Sequence, residues 1–282
     1  MGWVVRFSFS AELKTQPPPT NDAESAADLT ISGLWDLGTT GVFEDRNGFA
    51  IAGFATETEA KRASNWLAAQ SSVNAATIVV EPAADPGSWS VNNEARLIEV
   101  GPVDRRVALS ITAGATFGHG GHPTTALALE LSYAALEPGM EVLDLGTGSG
   151  VLGIAAAMAG AGNVTAIDID PEAIKVALTN AEANGVQMDA STKTLAEVMA
   201  RRDHGFDLIA MNVLLVVQRQ LAAEVAGALN PGGHLITSGY LLNQTEEIEE
   251  LHASAGLVTA ERRTKDGWAG HRFTYSPSAA RG

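Results

Sequence analysis

Val142-Leu143-Asp144-Leu145-Gly146-Thr147-Gly148-Ser149-Gly150 is the stretch on which the reading turns. An apolar run suited to a buried strand breaks into three glycines at alternate positions. Val151, Ile154, Ala155 and Met158 then mark out one apolar face of a helix. Glycine lets the backbone turn tightly and lets a ligand approach without a Cβ in the way. The helix start adds unpaired N–H groups and the positive end of a dipole. A strand–turn–helix of this kind serves either a nicotinamide dinucleotide or an adenosylmethionine, and a tight turn with no ligand is the plain alternative.

Working outward, apolar strands are expected at Glu141–Leu145, Val164–Ile169, Phe206–Met211 and His234–Thr237, with helices between them. Asp170-Pro171 supplies a cap followed by a proline at the first helical position, and Asn184-Gly185 ends that helix. Leu214 to Leu229 should be helical, stopped by Asn230-Pro231-Gly232-Gly233. Alternating β and α units imply a parallel sheet covered on both sides. Leu257–Arg263 and His271–Tyr275 depart from this rhythm as consecutive strands, an antiparallel ending usual in methyltransferases.

Two details favour adenosylmethionine over a dinucleotide. Asp144 lies within the strand, where dinucleotide folds carry an apolar residue, and the glycines read GxGxG rather than GxGxxG. Asp168 falls 20 residues beyond Gly148, at the end of the next strand, where a carboxylate can accept hydrogen bonds from ribose hydroxyls. A plain loop acid is the alternative for Asp168.

Upstream, Thr116-Phe117-Gly118-His119-Gly120-Gly121-His122-Pro123-Thr124-Thr125 predicts an ordered loop opening a helix over Ala126–Leu136. The threonine hydroxyls either cap that helix or bind a ligand carboxylate. His119 and His122 have no third histidine or carboxylate near them in sequence, so no metal site is expected. After the fourth strand, Asn212 in Met211-Asn212-Val213-Leu214-Leu215 stands at the sheet edge that faces the ligand crevice. It either receives the substrate's nucleophile or caps the helix beyond it.

The first 81 residues read as a separate α+β unit. Trp3, Val5, Phe7 and Phe9 alternate with polar residues along one strand, and Ala23–Leu37 is helix-like. Strands at Val42–Glu44 and Phe49–Phe54 flank an Asn47-Gly48 turn. Thr56–Gln70 is a capped helix, and Thr77–Val80 a last strand. The order β-α-β-β-α-β is that of a ferredoxin-like module. Residues 82–110 form a linker with two connecting strands, Ala95–Val100 and Val107–Ile111, and the large domain occupies 111–282.

With 18 basic against 33 acidic side chains the net charge is −15, which repels phosphate backbones and anionic membranes. A basic partner suits it better, and no direct nucleic-acid or membrane binding is expected. The absence of cysteine excludes disulfides and thiolate chemistry. No apolar run approaches the roughly 18 residues of a membrane span, and the amino terminus lacks a signal-peptide pattern. A cytoplasmic protein is expected.

Taken together, these residues resemble the ribosomal protein L-eleven methyltransferase family, over nearly the whole chain. Phe117 to Thr125 is similar to that family's FGTGTHPTT motif, with His119 and Gly121 in place of threonines, and Asn212-Val213-Leu214 is similar to its NIL-type motif. The resemblance implies a Rossmann-like α/β methyltransferase domain behind a small ferredoxin-like recognition domain. It implies S-adenosyl-L-methionine as cofactor, held by Phe117, Thr125, Gly146, Gly148, Asp168 and Asn212, with Asn212 also the catalytic residue. The implied substrate is a protein, the large-subunit ribosomal protein L-eleven, methylated on lysine or α-amino nitrogens. A related class that methylates lysines of an electron-transfer flavoprotein subunit shares much of the signature. A small-molecule methyltransferase and a nicotinamide-dependent oxidoreductase are more distant alternatives.

Overall fold

The computed structural model describes residues 2–10, 30, 33–34, 37, 39, 41–44, 50–82, 95–103, 106–112, 122–213 and 215–276. The helix expected over Ala23–Leu37 lies largely outside them. The Asn47-Gly48 turn, the Pro/Gly-rich joint after Pro82 and the loop through Phe117 lie wholly outside. The chain divides into two compact units, Met1–Val91 and Asn92–Gly282.

In the first unit, β1 (Trp3–Phe9), β2 (Gly41–Glu44), β3 (Ala50–Phe54) and β4 (Val73–Pro82) form an antiparallel sheet in the order β2-β3-β1-β4. The helix α1 (Glu57–Ala68) starts at Thr56, whose hydroxyl accepts the Glu59 N–H while Glu59 reaches back to the Thr56 N–H. This reciprocal cap satisfies two of the orphan donors of the first turn. Ala60, Ala63 and Leu67 of α1 pack on Val5, Phe7, Ala52 and Phe54. The alternation read along β1 is interrupted, for Val4 and Val5 are both buried. Between Arg6 and Ser8 the register against β4 shifts, and such an irregularity re-aims the side chains beyond it.

The second unit begins with an antiparallel hairpin, β5 (Arg96–Val100) and β6 (Val107–Ile111), followed by α2 (Pro123–Ala135). The remaining elements run β7 (Glu141–Leu145), α3 (Val151–Met158), β8 (Asn163–Ile167), α4 (Pro171–Ala183), β9 (Asp189–Ser191) and α5 (Leu195–Met199). They continue with β10 (Phe206–Asn212), α6 (Leu215–Gly227), β11 (Leu229–Leu241), α7 (Thr245–Ser254), β12 (Leu257–Lys265) and β13 (Trp268–Tyr275). The sheet order is β12-β13-β11-β10-β7-β8-β9. From β11 to β9 every pairing is parallel, whereas β13 is antiparallel to both its neighbours. The turn between β12 and β13 uses Asp266 (φ 51°) and Gly267 (φ 79°), two positive-φ residues of the kind that match the strands' twist.

Period-two alternation sorts the core into two layers. Val142, Val164, Leu208, Ala210 and Ile236 face the hairpin β5–β6 with α2, α3 and α4. Leu143, Leu145, Ile209, Met211, Leu235 and Phe273 face α5, α6 and α7. Each fully buried Val, Leu, Ile, Met or Phe side chain among these contributes about 1.5–3 kcal/mol over leaving it in water. The sequence Asn230–Gly233, expected to stop α6, lies instead within β11. There the register against β10 jumps from Phe206–Leu229 to Leu208–His234, so the extra residues loop out of the ladder.

Candidate functional site

Strand order reverses between β7 and β10, since β8 and β9 extend to one side and β11 to the other. Ligands of open α/β sheets bind at such a point, beyond the carboxyl ends of the strands. Gly146 comes directly after the end of β7 and Asn212 closes β10, so both stand at this crevice. Gly146 has φ +73°, and a Cβ there would lie 2.5 Å from Val213 Cγ1. Any side chain at Gly146 would close the space between the two strand ends.

Two groups brace the glycine turn from outside. The N–H groups of Gly146 and Thr147 donate to the Ile167 carbonyl at 2.8 and 3.1 Å. The Gly148 N–H donates to Asp168 Oδ2 at 2.9 Å, and Asp168 Oδ1 accepts the Asp170 N–H at 3.0 Å. Asp168 is therefore more than a loop acid, because it ties the end of β8 to the turn while remaining half-buried beside the crevice. Asp170 is the helix cap, accepting the Glu172 N–H at 2.9 Å. Ile169, between the two acids, is 97% exposed, and sequence reasoning passed over it. This leaves an apolar side chain fully solvated next to the Asp168 carboxylate.

Asp144 sits beneath the turn, 1% exposed. Its Oδ2 accepts the Thr147 hydroxyl at 2.7 Å and the Gly153 N–H at 2.9 Å, while Oδ1 is buried without a partner among the described residues. Burial pushes its pKa up to about 6, against the opposing pull of those two hydrogen bonds.

On the other wall, α2 is capped by His122, whose Nδ1 accepts the Thr124 N–H. Thr124 and Thr125 lie inside the first turn and are buried, so neither is the cap. Asn212 Nδ2 points to Thr125 Oγ1 at 3.4 Å, the outer limit of a hydrogen bond. Asn212 Oδ1 is buried with no partner among the described residues. Asn212 closes β10, and α6 is described from Leu215 onward. Gln218, fully buried on α6, holds the main chain just beyond Asn212. Its Nε2 donates to the Val213 carbonyl at 2.8 Å and to the Ser238 carbonyl at 3.0 Å, joining the ends of β10 and β11. A glutamine facing an apolar layer was the one sequence signal for it.

Gly146, Gly148 and Asp168 thus meet at one strand end and Thr125 and Asn212 at the next. Phe117 lies outside the described residues. No group of three or more His, Asp or Glu side chains suited to a metal occurs among the described residues. No helix is long and apolar enough to cross a membrane, again among those residues.

A seven-stranded sheet with its penultimate member antiparallel, carrying a glycine turn tied to the carboxylate after the next strand, defines a Rossmann-like methyltransferase domain. The model of the ribosomal protein L11 methyltransferase (PrmA) family matches residues 94–274. The chain belongs to that family. A "Ribosomal protein L11 methyltransferase" of Symbiobacterium thermophilum is 38% identical over 170 residues, 60% of this chain and 55% of that protein. One from Chloroflexus aurantiacus is 40% identical over 195 residues, 61% of this chain and 59% of its own length. The chain thus spans little more than half the length of these relatives. Among solved structures, a ribosomal protein L11 methylase of Lactobacillus delbrueckii subsp. bulgaricus superposes with TM-score 0.53 at 32% identity, over 59% of this chain and 84% of that one. A 16S rRNA methyltransferase of T. thermophilus gives TM-score 0.52 at 18% identity, over 83% of this chain and 57% of that one, and bears on the fold alone.

Proposed function

We propose that this chain transfers methyl groups from S-adenosyl-L-methionine to lysine or α-amino nitrogens of ribosomal protein L11. The observation that carries the proposal is the buried Oδ1 of Asn212, without a partner among the described residues, at the end of β10 beside the glycine turn. A buried acceptor without a donor costs about 1–3 kcal/mol, a penalty that an incoming N–H removes.

The residues present fit the cofactor. Asp168 has the position for ribose hydroxyls, Ile169 for the adenine face, and the Gly146–Gly148 turn for close backbone approach. Thr125, buried on α2, accepts from Asn212 Nδ2 at 3.4 Å and so bears on how that side chain is turned. When bound, S-adenosylmethionine supplies a methyl group on a sulfonium, a leaving group that needs no further activation. What the protein must add is alignment and desolvation. An ammonium has no lone pair, so the target nitrogen must be neutral. A lysine starts near a pKa of ~10.4, and entry into a dry pocket lowers it. Asn212 Oδ1 accepts one N–H of the neutral amine and points its lone pair along the transfer axis. Water removes the proton after transfer.

The first unit we read as a ferredoxin-like recognition domain, an assignment supported by its strand order β2-β3-β1-β4. The net charge of −15 favours a basic protein substrate over nucleic acid or an anionic membrane. A ribosomal substrate sets the reaction in the cytoplasm.

The test is label transfer from methyl-labelled S-adenosylmethionine to purified L11. Labelled L11 is the expected result, with Asn212→Ala lowering turnover about a hundred-fold. Tight cofactor binding without label on L11 would remove the substrate assignment and leave the fold. Unchanged turnover in Asn212→Ala would remove the role of that residue.

A further inference from the structure

β6 continues its ladder not with a strand but with the side of a helix. Asn184 Oδ1 accepts the Ser110 N–H at 2.8 Å and its Nδ2 donates to the Ser110 carbonyl at 2.8 Å. One turn earlier on α4, Asn180 treats Thr112 the same way, with Oδ1 accepting the N–H at 3.0 Å and Nδ2 donating to the carbonyl at 2.8 Å. A carboxamide carries the paired donor and acceptor of a peptide unit, so the two asparagines replace an edge strand.

The two residues differ in where the second amide hydrogen goes. Asn184 returns it to its own helix, to the Asn180 carbonyl at 2.7 Å. Asn180 gives it to the carbonyl of Ser149 at 2.8 Å, inside the glycine turn. Asn180 is 3% exposed and Ser149 fully buried, so this bond is made in a dry environment. α4 also presses on the turn at Gly150, where a Cβ would fall 3.0 Å from the Ala177 Cα. Gly150 has φ +84°, a conformation side chains rarely adopt, and its N–H closes the turn on the Thr147 carbonyl at 2.8 Å.

We propose that Asn180 is a positioning residue for the cofactor turn. It locks Ser149 to the main chain of Thr112 and thereby holds Thr147–Gly150 in the shape the ligand needs before the ligand arrives. Asn184, with the same chemistry and no bond to the turn, only secures β6. The inference rests on the reading of this turn as the cofactor site.

The test compares Asn180→Asp with Asn184→Asp. Aspartate keeps the shape and the acceptor but sets an oxygen where the donor stood. Three quantities are measured on the whole chain: calorimetric Kd for S-adenosylhomocysteine, the ligand-free thermal midpoint, and hydrogen exchange of the Gly150 N–H without ligand. Both variants should lower the midpoint. Only Asn180→Asp should weaken binding about ten-fold, the scale of one hydrogen bond, and speed exchange at Gly150. Binding by Asn180→Asp within about two-fold of the parent would overturn the proposal, and so would equal weakening by both variants. If Asn180→Asp does not fold, the serine pair, Asn180→Ser against Asn184→Ser, makes the same comparison. A parent that does not bind the ligand removes the cofactor reading itself, a result distinct from a parent that binds and variants that bind alike.

Discussion

The two halves of the seven-stranded sheet satisfy their buried polar groups in different ways. On the β7–β9 side the bonds run mostly to main chain: Asp168 to Gly148, Asp144 to Gly153, Asn180 to Ser149 and Thr112. On the β10–β13 side, beside the Gln218 bonds to the Val213 and Ser238 carbonyls, side chains also bond to one another. His271 joins Tyr240 through Nδ1 at 2.7 Å and Glu249 through Nε2 at 2.9 Å, Tyr240 meets Thr237 Oγ1 at 2.8 Å, and His252 faces Gln218 at 3.4 Å. The first half fixes the backbone of the glycine turn. The second fixes how α6, α7 and the final hairpin sit on the sheet, and so where Asn212 points.

The largest expected effect falls on the first half. Asp168→Ala removes both the brace on Gly148 and the proposed ribose acceptor, and should weaken S-adenosylhomocysteine about a hundred-fold by calorimetry, while thermal stability moves little. A change below about three-fold would mean that the turn holds its shape without the carboxylate. Next in size, Gln218→Leu strands the Val213 and Ser238 carbonyls. It should cost about 2 kcal/mol in urea unfolding and lower turnover more than cofactor affinity. Equal losses in both would put Gln218 with the first half's residues rather than behind Asn212.

Acidity separates the halves by sign. Asp144 has its pKa raised to about 6 from an ordinary 3.8, so its contribution is fully present below about pH 4 and is lost as pH rises through 6. Burial holds His252 near 4 instead of 6.5, so its contribution is present above 6.5 and is lost as pH falls through 4. Asp144→Asn should therefore raise ligand-free stability by about 1–2 kcal/mol at pH 8 and leave it unchanged at pH 4. A pH-independent difference would show that Asp144 acts through packing alone. The smallest effect is expected for Tyr240→Phe, about 1 kcal/mol by thermal melting with Kd for the cofactor product unchanged.

The same division explains what could be read from the residues. The glycine turn and the place of Asp168 beside it were legible because the two strand ends lie only 20 residues apart in the chain, a span that the Gly148–Asp168 bond closes. Asp170, Pro171 and Thr56 were legible because caps are local. Gln218, Asn180 and the histidine–tyrosine chain were not, since their partners are set by packing; Asn180 and Thr112 stand 68 residues apart. Two adjacent asparagine turns in one helix, where asparagine is a poor helix former, were the available hint. Asn230–Gly233 misled for the opposite reason. Its residues do break regular structure, but the break is an irregularity within β11 and not the stop of α6.

The interior place of β13 sets an order in time. β11 cannot gain its second neighbour until Trp268–Tyr275 has been made, about thirty-five residues after β11 itself leaves the ribosome. At synthesis rates of roughly 5–20 residues per second, that strand waits about 2–7 seconds with a row of unpaired main-chain groups. The growing chain must pass through that interval each time it is translated, so the hairpin that closes the sheet is also the step that ends its exposure to other nascent strands.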